Sequence, residues 1–394
     1  MTDDDMIALL DERHDEAAKL LELFTRDPWG NHAEAKTRLE AMTREVTAAM
    51  TAHPDFSVEK CLFFLSRQIG CWPSTQSRNL LEQAARAGGK AAVDWYRKVL
   101  SASSAHVNVI SEMYGLIVRE PVEFSNGVRL VPISELIDTP QARALASKIM
   151  AHPVGARDFP AAAILTFRNI AGETDHAAGH KEYLAAIETI RRTVTALTLS
   201  EANTPTTGVS WIDFHDADLT ASGFGYTWQN ATYDGRLPRH PVDIDPAAIE
   251  WAEKVLVLRG DVAAKCNFAL ARLNLARRRQ TPGDQAIDGC IAFEALLSDR
   301  QPGDLTYKLK LRAARLLGNS YIERKEISRK VGSFYRLRGK VVHGQSTGAS
   351  EEDRQAAKDG LDLTLAALRK IVLEAQIPDL QALELGPVDE AEEP

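Results

Sequence analysis

Arg338, His343 and Gly344 carry the most chemistry for their spacing, within Tyr335-Arg336-Leu337-Arg338-Gly339-Lys340-Val341-Val342-His343-Gly344. Glycine just past a helix is the residue that takes positive φ there. The spacing therefore predicts a helix that ends at His343. At that end the helix dipole favours a protonated imidazole. Arg338 lies about one turn earlier, with a permanent planar charge suited to a phosphate. Cleaving a ribose phosphodiester without a metal needs these two capacities. One group takes the proton of the 2′-hydroxyl or protonates the leaving oxygen. Another neutralises the charge that builds on the phosphoryl oxygens. A terminal histidine that only caps carbonyls produces the same spacing, so the pair alone leaves both readings open.

Glu294 is the second residue of interest. It sits inside Ile291-Ala292-Phe293-Glu294-Ala295-Leu296-Leu297, apolar on most sides. A carboxylate in that company is costly unless it is paired. An arginine such as Arg338 would satisfy it and hold the guanidinium in place. The alternative places Glu294 on a narrow polar stripe with Asp288, facing solvent.

Other constellations read as structural. His176 and His180 have the spacing of a helical metal pair. No third ligand follows at a recognisable distance, and Gly172 and Gly179 suggest a loop. His215, between Asp213 and Asp216, reads as the surface end of a strand. Asn230-Ala231-Thr232 matches a glycosylation sequon. A phosphate-cradling glycine loop is missing, as is a dinucleotide-binding glycine motif after a strand. The expected set of cofactors and metals is empty.

The elements that must position these residues fall into three stretches. Residues 1–104 read as helical, with apolar spacing from Ile7 to Phe24, a break at Asp27-Pro28-Trp29-Gly30, and a helix over His32–Ala52. Further helices are expected over Val58–Ile69, Ser77–Ala87 and Ala91–Ala102. From residue 105 to 244 the chain reads as α+β with a small, mostly antiparallel sheet. Strands are expected at 107–110, 114–119, 121–133, 162–167, 208–214 and 223–228, with a helix over Lys181–Ala202. Asn126-Gly127, flanked by Val122, Phe124, Val128 and Leu130, is a strong hairpin signal. Residues 245–377 read as helical, opened by Asp245-Pro246 in the manner of an N-cap followed by proline. Breaks are expected at Pro282-Gly283, Gln301–Gly303 and Gly344–Gly348, and an acidic tail follows over 378–394. The fold class expected is α+β, mainly α.

A chain of 394 residues with 44% hydrophobic and 26% charged residues can bury a core and exceeds one compact unit. The acidic start, MTDDDMIALLDERHDE, argues against a secretory or mitochondrial leader. Four scattered cysteines, none in a C-x-x-C pair, argue against a disulfide framework or zinc knuckle. A cytoplasmic protein is expected. The net charge is −8, yet Arg259–Gly344 holds 18 Lys and Arg against 8 Asp and Glu, so that block carries +10 and the rest −18. A concentrated basic block is the footprint expected of a phosphate-binding surface, although lysines and arginines that merely solvate helix faces give the same count.

The succession from Arg272-Leu273-Asn274-Leu275-Ala276-Arg277-Arg278-Arg279, through Ile291–Leu297, to Tyr335-x-x-Arg338-x-x-Val341-Val342-His343-Gly344 resembles the Apea-like branch of the HEPN superfamily. The resemblance covers residues 260–375, about a third of the chain. It implies a C-terminal HEPN-like helical bundle that forms a homodimer and acts as a metal-independent endoribonuclease. Many such proteins are toxins or antiviral, abortive-infection effectors. Arg338 and His343 would be catalytic, supported by Tyr335 and Glu294. Arg277, Arg278, Arg279 and Lys340 would contact the RNA backbone. The N-terminal and middle parts would meet a regulatory partner or trigger. The second function class is a catalytically inactive HEPN dimer that scaffolds RNA or a protein.

Overall fold

The computed structural model describes residues 1–27, 30–136, 161–200, 204–224, 238, 241–299, 304–344 and 350–385. The sequon at 230–232, the break at 301–303, most of the expected strand at 223–228, most of the break at 344–348 and the end of the acidic tail lie outside the described residues. The architecture is α+β and mainly α. No helix among the described residues is long and apolar enough to cross a membrane.

The N-terminal part packs four helices: α1 (Asp3–Arg26), α2 (Ala33–Ala52), α3 (Pro73–Ala87) and α4 (Gly89–Ser101). A local signal sets where α1 begins. Thr2 and Asp5 form a reciprocal capping box at the start of α1, with Asp5 N donating to Thr2 Oγ1 at 3.2 Å and Thr2 N to Asp5 Oδ2 at 2.8 Å. Met6, Leu10 and Ala17 form its buried stripe.

The helix expected over Val58–Ile69 is instead an antiparallel hairpin, β1 (Cys61–Phe64) with β2 (Arg67–Gly70). The apolar run between Cys61 and Ile69 suits either period. Long-range partners decide it: β2 pairs with a strand at Gly223–Phe224, and Phe63 bridges to Glu173. Arg67, buried in the hairpin, ion-pairs with buried Asp213 at 3.0 Å.

The middle sheet runs in the order β5-β6-β7-β3-β8, antiparallel throughout. Its strands are β3 (Ser104–Tyr114), β5 (Val122–Glu123), β6 (Val128–Pro132), β7 (Ala161–Ala171) and β8 (Thr206–Phe214). A short strand β4 (Leu116–Ile117) pairs in parallel with Val242–Asp243. The Asn126-Gly127 turn closes the hairpin as expected, with Gly127 at φ 83° and Phe124 N donating to Val128 O at 2.9 Å. Helix α5 (His176–Ala196) lies on one face of the sheet, where Tyr183 Oη donates to Ser210 O. A short helix α6 (Ala217–Ser222) follows β8.

The C-terminal part is the scaffold of the site. It comprises α7 (Pro246–Leu256), α8 (Gly260–Arg278), α9 (Pro282–Leu297), α10 (Leu305–Leu317), α11 (Tyr321–Val342), α12 (Glu351–Glu374) and the short α13 (Leu380–Leu385). Asp245 caps α7 ahead of Pro246, and Thr281 caps α9 ahead of Pro282. Helix α9 lies at the centre, packed against α8, α11 and α12. Phe334 of α11, 1% exposed, reaches between its neighbours where two glycines make room. A Cβ at Gly360 would lie 2.2 Å from Phe334 Cγ, and one at Gly289 2.7 Å from Phe334 Cζ.

This seat makes a direct prediction. Gly360→Ala should lower stability by about 1–3 kcal/mol through overpacking. Alanine's better helix propensity, worth about 1 kcal/mol, acts the other way. Urea unfolding that shows a more stable variant would refute the contact.

Candidate functional site

Helix α11 carries the site, and its two ends are set locally. Ser320 and Glu323 form a capping box at its start. At its end His343 is the C-cap residue, its N–H donating to Gly339 O at 3.1 Å, and Gly344 follows at φ 68° with its N–H donating to Val341 O at 2.9 Å. The helix thus stops where the glycine signal placed the stop. Val331, Phe334, Tyr335 and Leu337 face the core. Burying that face leaves Arg338 half-buried at its rim, while Arg336, Val342 and His343 are exposed.

Arg338, Tyr335, Glu294 and Cys290 form one neighbourhood. Tyr335 Oη donates to Glu294 Oε1 at 3.2 Å. Burial pushes the Tyr335 hydroxyl far above its ordinary pKa, aided by Cys290 and by Glu294, and opposed by the Arg338 charge. Cys290, one turn before Glu294 on α9, is fully buried. Its thiol is pushed well up, first by burial and then by the Glu294 charge, against the Arg338 charge and a hydrogen bond with Tyr335. Such a thiol stays protonated and is a poor nucleophile.

The structure corrects one expectation. Arg338 does not pair with Glu294; among the described residues it makes no hydrogen bond and no ion pair at all. Tyr335 satisfies Glu294 instead. Glu294 is half-buried rather than enclosed, so a cation beside it is not required. Nor does it share a solvent-facing stripe with Asp288, which is 4% exposed and binds Arg272 and Arg279.

Each of the four residues expected on the RNA backbone has a partner within the protein. Arg277 Nη1 donates to Thr198 O at 3.1 Å, fastening α8 to the middle part. Arg278 Nε donates to Asn274 Oδ1 at 2.9 Å, and Arg279 Nε to Asp288 Oδ2 at 2.7 Å. Lys340 Nζ donates to Asp353 Oδ1 at 3.0 Å, tying the end of α11 to the start of α12. Sequence reasoning missed Cys290, whose only signal was its place one turn before Glu294. It also missed Arg336, which stands exposed beside the motif and has no partner among the described residues.

The histidine pair at 176 and 180 lies within α5, not in a loop. Asp175 caps that helix from its side chain, which starts it earlier than the glycines suggested. Both imidazoles meet Ser66 Oγ, at 3.2 Å from His176 Nε2 and 2.7 Å from His180 Nδ1. They hold the β1–β2 turn against the helix. His215 is at the strand end as expected; of its acidic neighbours, Asp213 binds Arg67 and Asp216 binds Lys98. Among the described residues no three His, Cys, Asp or Glu side chains converge as a metal site would require. The chain matches no family model, no curated protein and no solved structure.

The Lys340–Asp353 pair gives a pH test. The Lys340 hydrogen bond, helped by Ser350, holds the Asp353 carboxyl below its ordinary 3.8 despite burial. A depressed carboxyl stabilises the fold above its ordinary pKa, and that contribution fades as pH falls through the lower, folded-state value. Lys340→Met should therefore cost about 0.5–1 kcal/mol at neutral pH, since solvent screens the half-exposed lysine, and almost nothing in strong acid. Denaturant midpoints of both proteins across the acid range should converge.

Proposed function

We propose that this protein is a metal-independent endoribonuclease of HEPN type, with Arg338 and His343 at its centre. One observation carries the reading: Arg338 has no internal partner among the described residues, yet it stands about one turn from an exposed imidazole at a helix C-terminus. A guanidinium left uncommitted at the rim of a packed bundle is available for an external anion. The sequence resemblance of residues 260–375 supports the same reading.

In the proposed reaction the 2′-oxygen of a ribose attacks the adjacent phosphorus, and the bond to the 5′-oxygen breaks. The products are a 2′,3′-cyclic phosphate and a 5′-hydroxyl. His343 takes the 2′-hydroxyl proton or supplies one to the leaving oxygen, and Arg338 neutralises the phosphoryl oxygens. Tyr335, by holding Glu294, keeps that carboxylate from capturing Arg338. The role proposed in the cell is that of a cytoplasmic toxin or antiviral defence effector.

A second reading has an observation of its own. Gly339 supplies no polar group beside Arg338, and a Cβ built there would meet nothing within 4 Å. An inactive dimer that scaffolds RNA or a protein would tolerate such a gap.

Purified full-length protein incubated with total RNA, with and without EDTA, separates the two. Arg338→Ala and His343→Ala should each reduce cleavage at least about 100-fold and leave the unfolding midpoint nearly unchanged, because neither side chain packs in the core. Cleavage at the wild-type rate by either variant, or products ending in 3′-hydroxyls, would refute the assignment. The proposal extends to a two-fold homodimer through the C-terminal part, since a second copy across the axis would double the cations around one phosphate. Val342, 58% exposed beside His343, would be covered there. Light scattering should report twice the 43.4 kDa chain mass, and Val342→Glu should lower it. A monomer that still cuts RNA would exclude a shared site.

A further inference from the structure

A cleft of about 570 Å³ opens between α5, β8 and α8, where the middle and C-terminal parts meet. Its size is that of a small-molecule site. Its charge is one-sided: Arg191, Arg192, Arg272 and Arg278 line it, with Glu188 as the one carboxylate among its described lining residues. Glu188 grips Arg191 through both oxygens, at 2.8 and 2.9 Å. Arg192 is exposed and makes no hydrogen bond or ion pair among the described residues. Arg278 is held in orientation from below. Buried Asn274 donates its amide N–H groups to Thr198 Oγ1 and Pro205 O, which turns its oxygen toward Arg278 Nε.

Cations alone would suit any anion, but the cleft also presents an aromatic ring. Phe268 is 48% exposed in its wall, with the Arg272 guanidinium 5.7 Å from its ring centroid. A half-exposed phenyl ring with an arginine over it and further arginines nearby is the pairing that stacks a nucleobase while the charges take a phosphate. The neighbouring Asn267 lines the same cleft, and its carboxamide makes no hydrogen bond among the described residues. A carboxamide offers a donor and an acceptor side by side, the pattern that reads a base edge.

We propose that this cleft binds a nucleotide, with the base on Phe268, its edge at Asn267 and the phosphate among Arg191, Arg192 and Arg278. The proposal goes beyond RNA cleavage and does not rest on it. The cleft joins the two parts of the chain, so an occupant would bear on how they sit together.

The test is calorimetric titration of the full chain with AMP, GMP, CMP and UMP. The nucleosides, inorganic phosphate and a short single-stranded RNA serve as comparison ligands. At least one mononucleotide should bind about tenfold or more tightly than phosphate and than its own nucleoside, and Phe268→Ala should weaken it about fivefold or more, the loss expected from one stacked base. Arg192→Ala should weaken it similarly, and both exposed substitutions should leave the unfolding midpoint in place. Mononucleotides that bind no better than phosphate would overturn the proposal, as would variants with wild-type affinity. RNA that binds more tightly than every mononucleotide, and is weakened by both variants, would make the cleft an RNA track and also overturn it. Arg338→Ala should bind the nucleotide as the wild type does. Binding lost there but kept in Phe268→Ala would place the nucleotide at the other site.

Discussion

The seat of Phe334 is the constraint on which the rest of the site depends. Its ring occupies space that only glycine at 289 and 360 leaves open, so α9, α11 and α12 approach closely around one side chain. Close-packed interiors admit few alternatives once such a contact is made. It fixes the rotation of α11 about its axis, and that rotation decides which residues turn inward. Tyr335, the next residue, goes into the core and finds Glu294. Arg338, one turn beyond Phe334, emerges at the rim. The same rotation carries His343 to the exposed helix end.

Charge is distributed by burial rather than by sequence order. The basic block looks uniform along the chain, but its members have different fates. Asp288, buried in the second turn of α9, draws in Arg272 and Arg279. A buried carboxylate loses its water and must be compensated, so it takes cations that would otherwise face solvent. Arg277 fastens α8 to carbonyls of the middle part, and Lys340 fastens α11 to α12. Arg192, Arg336 and Arg338 are left among those without a partner in the described residues. Arg336 and Arg338 stand beside the histidine motif, and Arg192, outside the basic block, lines the cleft.

The three stretches of chain share one apolar core, and polar contacts tie them together as well. The hairpin of residues 61–70 completes a small sheet with Gly223–Phe224. Its turn is held by Ser66 against His176 and His180, and Arg67 reaches the buried Asp213. Removing one partner of the buried Arg67–Asp213 pair would leave a charge without compensation. The cleft at the α5–α8 boundary lies next to the Asn274 contacts, which tie α8 to Thr198 and Pro205.

The sequence by itself determined what residues a few positions apart can decide. The Asp245-Pro246 start, the Asn126-Gly127 turn and the stop at Gly344 were all legible, because caps and turns are made by neighbouring backbone and side chains. So was the mainly helical α+β class, which follows from apolar periodicity. The position of Arg338 and His343 on one helix end was legible for the same reason. Tertiary structure alone decided the rest. The run from Val58 to Ile69 fits a helix or a strand, and partners more than a hundred residues away made it a hairpin. The histidines at 176 and 180 became part of a helix because Asp175 caps it and the hairpin turn meets it. Glu294 took Tyr335 rather than Arg338, and all four cations expected on RNA found carboxylate or carbonyl oxygens within the protein, because which side chain reaches which depends on how helices rotate and approach. Spacing along a chain fixes a residue's place on its own helix, but only packing fixes what stands opposite.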